Sequence, residues 1–238
     1  MVGFVGRHGA VSIAQVKVAL GIGHTAAYRR VAGLVDAGLL ERLHLLRGEP
    51  TLLRATRAGL RYAGLGVAPA VVSPGSVGHW LRCAAAGLDL EARFGAGRVL
   101  TVRELVSAER HEERPIASAV VGRLPDGRPR LHRPDLVVLP EGHPLTRIHV
   151  EEVDPAAGPH PGMWGVRPGE GDEVWAVEVE LTPKSPARLR EIIRAWRRAE
   201  HVDHVHYLCE PGQTRRAVER AVEKLHASGR IIVSEVAP

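Results

Sequence analysis

The run Val174–Lys184, VWAVEVELTPK, decides the fold of the second half of this 238-residue chain. Its side chains alternate as in a β-strand, where successive residues point to opposite faces. Glu178 and Glu180 therefore lie on one face, about 7 Å apart along the strand. Ser185 and Pro186 follow as an N-cap and a first helical residue, which predicts that the strand leads into a helix. Carboxylates at a strand end beside a helix N-terminus can hold a hard cation and a phosphate.

Length and composition restrict the class of protein. The chain is long enough for two small domains, and no stretch reaches the roughly 18 apolar residues of a membrane span. Arg7, His8 and Lys17 interrupt any signal-peptide core near the N-terminus. Cys83 and Cys209 lie far apart and form no CxxC pair, which indicates reduced thiols and no sulfur-based zinc site. We therefore expect a cytoplasmic protein with no membrane partner.

Positive charge is concentrated in the first third of the chain. Residues 1–70 hold nine Lys and Arg against three acids, a net charge of +6, whereas the whole chain carries +5. Such asymmetry indicates a polyanionic partner, and we expect double-stranded DNA.

The pattern of residues 1–68 predicts a winged-helix DNA-binding domain. Ser12 caps a first helix, Gly21–Gly23 forms a turn, and a second helix begins at an N-cap on Thr25 and stops at Gly38. Two short strands, 39–43 and 51–55, then flank a turn-rich tip, and a closing helix follows Thr56. A helix pair joined by a short glycine turn and followed by a wing is typical of DNA-binding proteins.

The second helix of this pair is expected to enter the major groove of DNA. Its solvent-facing residues would then contact DNA, with one further phosphate contact at the wing tip; these residues are His24, Tyr28, Arg29, Arg30 and Arg47. The alternative is that Arg29 and Arg30 form only a solvated helix face.

Residues 69–76 are predicted to be a linker, and residues 77–238 a second domain. Its helices and strands alternate, which predicts an α/β fold with a central mixed sheet whose middle strands carry Asp135, Glu178 and Glu180. Gly and Pro mark residues 141–173 as an insertion, with an additional strand at 147–150. The helix after the acidic strand has its basic residues outside, and we expect three of them to follow the DNA phosphate backbone: Arg194, Arg197 and Arg198.

Pro134-Asp135, then Glu178-x-Glu180 with Lys184 close behind, resembles the PD-(D/E)xK nuclease superfamily. The resemblance implies that Asp135 and Glu178 bind Mg²⁺ or Mn²⁺, with Glu180 as a further ligand or as the group that orients a water. Glu180 stands where the superfamily usually has lysine, and Lys184 would supply that positive charge. The resemblance also implies that an acid from the helical side, Glu91 or Glu104, could join the site.

Over nearly its full length the chain is similar to the replication-relaxation family of actinobacterial plasmids and integrative elements. The similarity is carried by TRAGLRYAGL at 56–65, HWL at 79–81, RPD at 133–135 and AVEVELTPKSPARL at 176–189. The family implies DNA binding in the maintenance or transfer of a mobile element, with other replication or transfer proteins as possible partners.

The expected function is therefore a DNA-binding protein with a metal-dependent DNA endonuclease site, because hydrolysis of a phosphodiester needs carboxylates that fix a metal ion. The rival is a non-catalytic accessory factor or transcriptional regulator with a degenerate nuclease fold, and a ligand-sensing regulator is a third possibility. A separate alternative for the acidic strand itself is that Glu178 and Glu180 form only a solvated sheet face. The sequence leaves the target site, strandedness and oligomeric state open.

Overall fold

Glu178 and Glu180 lie in the central strand of a mixed sheet in the computed structural model, which describes residues 1–48, 50–145 and 173–236. Within these residues the chain divides into two compact units, one formed by residues 1–93 and one by the described residues from 94 onward. The sheet belongs to the second unit. The predicted α/β class is therefore confirmed.

The first unit combines helices with a small antiparallel sheet. Its elements are α1 (Val2–His8), β1 (Val11–Ser12), α2 (Ile13–Leu20), α3 (His24–Asp36), β2 (Leu40–Leu43), β3 (Leu52–Ala55), α4 (Arg57–Tyr62) and α5 (Val77–Phe94). Strand β3 pairs antiparallel with both β1 and β2. Val16 of α2, Val31 of α3 and Leu53 of β3 are fully buried and belong to one apolar core.

Local capping signals set most of these helix ends. Ser12 and Gln15 form a capping box at the start of α2, with Gln15 N donating to Ser12 Oγ at 3.2 Å. Gly38 adopts φ +69° after α3, and the Leu39 N–H donates to the Leu34 carbonyl, which is a Schellman stop as predicted. The predicted N-cap on Thr25 is wrong. The N-cap of α3 lies two residues earlier, at Gly23, which has no capping side chain, and the helix begins at His24.

Helix α5 contributes to the first unit, although the sequence pattern placed it in the second domain after a linker at 69–76. Gln15 Nε2 donates to the Leu81 carbonyl at 2.7 Å. A Cβ on Gly87 would lie 2.4 Å from the His8 ring, so only glycine permits this approach of α5 to α1. The division between units therefore falls after Arg93, because contacts distant in sequence, rather than linker composition, fix this helix.

The second unit contains β4 (Val99–Thr101), α6 (Val102–Glu112), β5 (Ala119–Arg123), β6 (Pro129–His132), β7 (Leu136–Val138), β8 (Trp175–Glu180), α7 (Pro186–Arg198), β9 (His204–Cys209), α8 (Gln213–Lys224) and β10 (Ile231–Glu235). Its described strands form a mixed sheet in the order β10-β9-β8-β7-β4 and a separate β5-β6 hairpin. Strands β8, β9 and β10 are parallel, and β7 is antiparallel to both of its neighbours. The strand predicted at 147–150, and most of the predicted insertion, lie outside the described residues.

Helix α7 follows the acidic strand as predicted. Ser185 Oγ accepts a hydrogen bond from Arg188 N at 3.3 Å, and Pro186 occupies the first helical position. The inner face of the helix, which includes Ile193 and Trp196, is fully buried in the same apolar core as Ala176 of β8. This packing places α7 over the face of the sheet that carries the two glutamates.

Candidate functional site

Glu178 and Glu180 share one face of β8, and each residue is only 5% exposed. That face is directed toward α7, because the indole nitrogen of Trp196 reaches Glu178. The register of β9 places Tyr207 beside Glu178 and Cys209 beside Glu180. Burying two carboxylates is unfavourable unless they find partners. The hypothesis that they form a solvated sheet face is therefore wrong.

Glu178 is held through one of its two oxygens. Its Oε1 accepts hydrogen bonds from His132 Nε2 at 2.6 Å and from Trp196 Nε1 at 3.2 Å. The two donor rings meet edge to face, with centroids 5.8 Å apart. Burial lowers the pKa of His132, but the charge of Glu178 and its hydrogen bond outweigh burial, so the pKa is raised. Within the described residues the other oxygen, Oε2, accepts no hydrogen bond.

Glu180 forms an ion pair with Lys184, whose ammonium reaches back to Oε2 from the segment after the strand. Burial raises the pKa of Glu180, Lys184 lowers it, and the nearby charges of Glu178 and Asp135 raise it again, so the net shift is upward. Burial, with a contribution from Glu180, also raises the pKa of the adjacent Cys209 thiol to about 12. The Glu180 carboxylate is thus incompletely compensated by its single cation.

Asp135 stands immediately before β7, at the strand edge that the sequence predicts. Its Oδ2 accepts a hydrogen bond from the Val179 N–H at 2.8 Å, so the side chain is fixed level with the two glutamates. Among the described residues, the oxygens of the three carboxylates do not all come within 4.8 Å of one another. In this conformation the three acids therefore do not enclose one ion together.

Tyr207 is a neighbour of this site that the sequence analysis did not identify. Its hydroxyl is fully buried and has no hydrogen-bond partner among the described residues, since the single indole hydrogen of Trp196 is donated to Glu178. Burial, with the charges of Glu178 and Glu180, raises the pKa of Tyr207 well above its usual value. Only the register between β8 and β9 brings it here, and that register is not visible in either segment alone.

His132 and Trp196 were also missed as site residues. Trp196 is buried on the inner face of α7, and nothing in its local sequence indicates that its indole N–H reaches Glu178. His132 lies three residues before Asp135, and this proximity to the RPD motif is the signal that could have found it.

The two acids considered as additional site members have other roles. Glu91 belongs to the first unit, where its Oε1 lies 2.7 Å from Arg7 Nη1 and 3.7 Å from His8 Nε2. Glu104 closes the capping box of α6, accepting from Thr101 N at 3.0 Å. Each carboxylate therefore has a local structural partner, Arg7 and His8 for Glu91 and the α6 capping box for Glu104.

The outer side of α7 carries the basic residues expected to follow a phosphate backbone. Arg194, Arg197 and Arg198 are exposed, and no described carboxylate forms an ion pair with them. Arg188, nearer the start of the helix, is instead paired with Glu191 at 2.6 Å. The three outer arginines are therefore available to an anionic partner.

The residues expected to contact DNA in the first unit are exposed as well. His24 and Tyr28 stack on the surface of α3, with ring centroids 4.4 Å apart. Arg29 and Arg30 follow on the same helix, and Arg47 lies in the turn between β2 and β3. These side chains provide an aromatic and cationic surface at the N-terminal half of α3.

Comparisons with protein-family models, with curated proteins and with solved structures find no match to this chain. Of the helices that the structure describes, none combines the length and the apolar character needed to cross a membrane.

Proposed function

We propose that this chain is a DNA-binding protein of a plasmid or integrative element, with a metal-dependent site for phosphodiester hydrolysis in its second unit. The observation that carries the proposal is the burial of Glu178 and Glu180 on one face of a central strand, with Asp135 fixed beside them. Like charges gathered in a buried place raise pKa values and lower stability, which is typical of functional sites.

The first unit is proposed to be a winged helix, in which α2 and α3 form the helix-turn-helix and β2 and β3 form the wing. The exposed His24–Tyr28 pair, and the exposed Arg29 and Arg30 that have no ion-pair partner in the described part of the chain, support placing α3 in the major groove. Arg47 would add a phosphate contact from the wing. The second unit is proposed to be nuclease-like, as the resemblance to PD-(D/E)xK proteins and the replication-relaxation family implies.

The donor chemistry of the acidic site fits Mg²⁺ or Mn²⁺. These hard cations prefer carboxylate oxygens, and Mg²⁺ commonly binds through only one or two carboxylates while retaining several waters. Three converging carboxylates are therefore not required. Asp135 and Glu178 would hold the ion, Glu180 would add a further ligand or orient the water, and the ion would polarise the scissile phosphate and activate that water. Lys184 would balance the charge of Glu180.

A second candidate is a non-catalytic accessory factor or regulator with a nuclease-like fold. It is favoured by the partners that the acids already have within the protein: His132 and Trp196 at Glu178, and Lys184 at Glu180. Glu180, which stands where the superfamily usually has lysine, also favours the non-catalytic candidate.

A plasmid-nicking assay with Mg²⁺ or Mn²⁺ separates the two candidates. The parent chain should convert supercoiled DNA to nicked or linear DNA, and Glu178→Gln and Glu180→Gln should abolish conversion. Glu223→Gln, which removes an exposed acid from α8, is the matched control and should retain activity. A parent chain that binds DNA but leaves it intact with either metal would support the accessory factor.

A further inference from the structure

Glu178 is held asymmetrically, and the asymmetry suggests a role for residues outside the acidic set. Two donors, His132 Nε2 and Trp196 Nε1, converge on Oε1, while Oε2 accepts no hydrogen bond from the described residues. A carboxylate bound through one oxygen by two rigid rings has little freedom to rotate. Its second oxygen therefore points in a fixed direction.

We propose that Trp196 and His132 are positioning residues that clamp Oε1 of Glu178 and so direct Oε2 toward the cation. This inference rests on the proposed metal-dependent function. Ligating carboxylates are commonly oriented by hydrogen bonds from outside the coordination sphere, and loss of such a bond weakens metal affinity about 10–100-fold.

The rings themselves are well fixed. Trp196 is completely buried in the core beneath α7, and the His132 side chain is 14% exposed and packs edge to face against it. Thus α7 supplies one donor and the β5-β6 hairpin supplies the other, while β8 supplies the acid. Three separate elements define the position of one oxygen atom, which favours a role beyond filling space.

The buried Tyr207 hydroxyl is an independent indication that this place receives a polar ligand. It lies beside Glu178 in register, is 1% exposed, and has no hydrogen-bond partner among the described residues. A buried hydroxyl without a hydrogen-bond partner destabilises the fold. A water or another polar group bound next to Glu178 would satisfy it.

The test measures Mn²⁺ affinity of the full chain by thermal melts across a metal titration, independently of cleavage. Trp196→Phe keeps the buried ring and removes the N–H, and His132→Leu removes the second donor. Each substitution should raise the Mn²⁺ dissociation constant about 10–100-fold, because the metal binds more weakly. His132→Gln retains an N–H donor at a similar reach and should restore affinity to within about threefold of the parent.

Trp175→Phe is the matched control. Trp175 is also a buried tryptophan of this region, but it lies on the other face of β8 and donates to Glu173 at 3.2 Å. Its substitution should shift the metal-free melting midpoint without changing the Mn²⁺ dissociation constant. If Trp196→Phe likewise shifts the metal-free melting midpoint without changing the Mn²⁺ dissociation constant, Trp196 contributes only packing.

The outcomes distinguish this inference from the function on which it rests. A parent chain whose midpoint does not respond to millimolar Mn²⁺ overturns both. A parent that responds, with an unchanged dissociation constant in His132→Leu and Trp196→Phe, overturns the clamp alone. If Trp196→Phe does not fold, the contrast between His132→Leu and His132→Gln decides the question by itself.

Discussion

Glu91 in the first unit, whose side chain is 13% exposed, and Glu180 in the second, which is buried, both contact a cation, yet their pKa values move in opposite directions. Burial raises the pKa of each. At Glu91 the nearby His8 and Arg7 outweigh burial, and the pKa is lowered. At Glu180 the charge of Lys184 lowers the pKa too little to offset burial and the charges of Glu178 and Asp135, so the pKa is raised.

The difference separates a structural carboxylate from a candidate functional one. Glu91 joins α5 to α1 through a compensated ion pair, so the first unit is more stable with the charge than without it. Glu180 sits in a group of acids whose mutual repulsion a bound cation would relieve. Similar burial and a similar ion pair thus have opposite consequences, which the surrounding charges determine.

The strongest test of this contrast is Glu91→Gln. Glu91→Gln takes the Glu91 charge away from the buried Arg7 guanidinium, and we expect the unfolding free energy to fall by about 3–5 kcal/mol. Urea denaturation at pH 7 measures the loss. Glu223→Gln, at an exposed position, should stay within about 0.5 kcal/mol of the parent. Equal urea midpoints for Glu91→Gln and the parent would show that the Glu91–Arg7 ion pair does not stabilise the fold.

Acidification provides a second test of the same residue. The folded-state pKa of Glu91 lies below its ordinary value of 4.5, so its stabilising contribution is present above that value and is lost as pH falls through the folded pKa. Below about pH 4.5 the parent should therefore lose stability more steeply than Glu91→Gln. Parallel curves of unfolding free energy against pH would contradict the assigned shift.

Glu180→Gln should have a much smaller effect on metal-free stability. The substitution removes an unfavourably placed charge and leaves Lys184, whose side chain is one-third exposed, free to find water. We expect the unfolding free energy to change by no more than about 1 kcal/mol, in either direction. The response of the melting midpoint to Mn²⁺ should disappear. A loss as large as that of Glu91→Gln would show that Glu180 is structural as well.

The smallest stability effect is expected for Arg29→Ala with Arg30→Ala, since both side chains are exposed and unpaired among the described residues. Unfolding free energy should change by less than about 0.5 kcal/mol per site. Duplex DNA affinity should nevertheless fall, and the slope of log K against log salt should decrease by about 2. An unchanged slope would assign both arginines to a solvated helix face.

Replacing Arg194, Arg197 and Arg198 with alanine is the corresponding test in the second unit. Because these exposed residues are expected to contact phosphates only, binding should weaken similarly on all DNA sequences. Equal affinity of parent and variant at low salt would remove α7 from the interface.

Local signals in the sequence predicted the elements that are fixed locally. The alternation of Trp175–Glu180, the cap at Ser185 and the stop at Gly38 each depend on neighbouring residues, and the structure has them as expected. Helix α1 and strand β4 were missed because they are short and lack such signals. The hairpin of β5 and β6 lies in a polar run, where strand alternation is weak.

Contacts between distant segments account for the remaining differences. Helix α5 has an ordinary amphipathic pattern, and contacts distant in sequence, such as Gly87 against His8, Leu81 against Gln15 and Glu91 against Arg7, assign it to the first unit. The site follows the same rule: Asp135, Glu178, Glu180 and Lys184 stand out by motif, whereas His132, Trp196 and Tyr207 join them through packing and strand register.

The position of Cys209 gives the chain a built-in reporter of motion. Its thiol is buried beside Glu180, and burial with the charge of Glu180 raises its pKa to about 12, so the thiol carries little thiolate near neutral pH. Alkylating reagents react with the thiolate, so labelling requires this part of the sheet to open. Cys83, which is half-buried in α5, provides an internal reference. The ratio of the two labelling rates, followed by mass spectrometry in the unmodified protein, measures how often the face bearing Glu180 meets solvent.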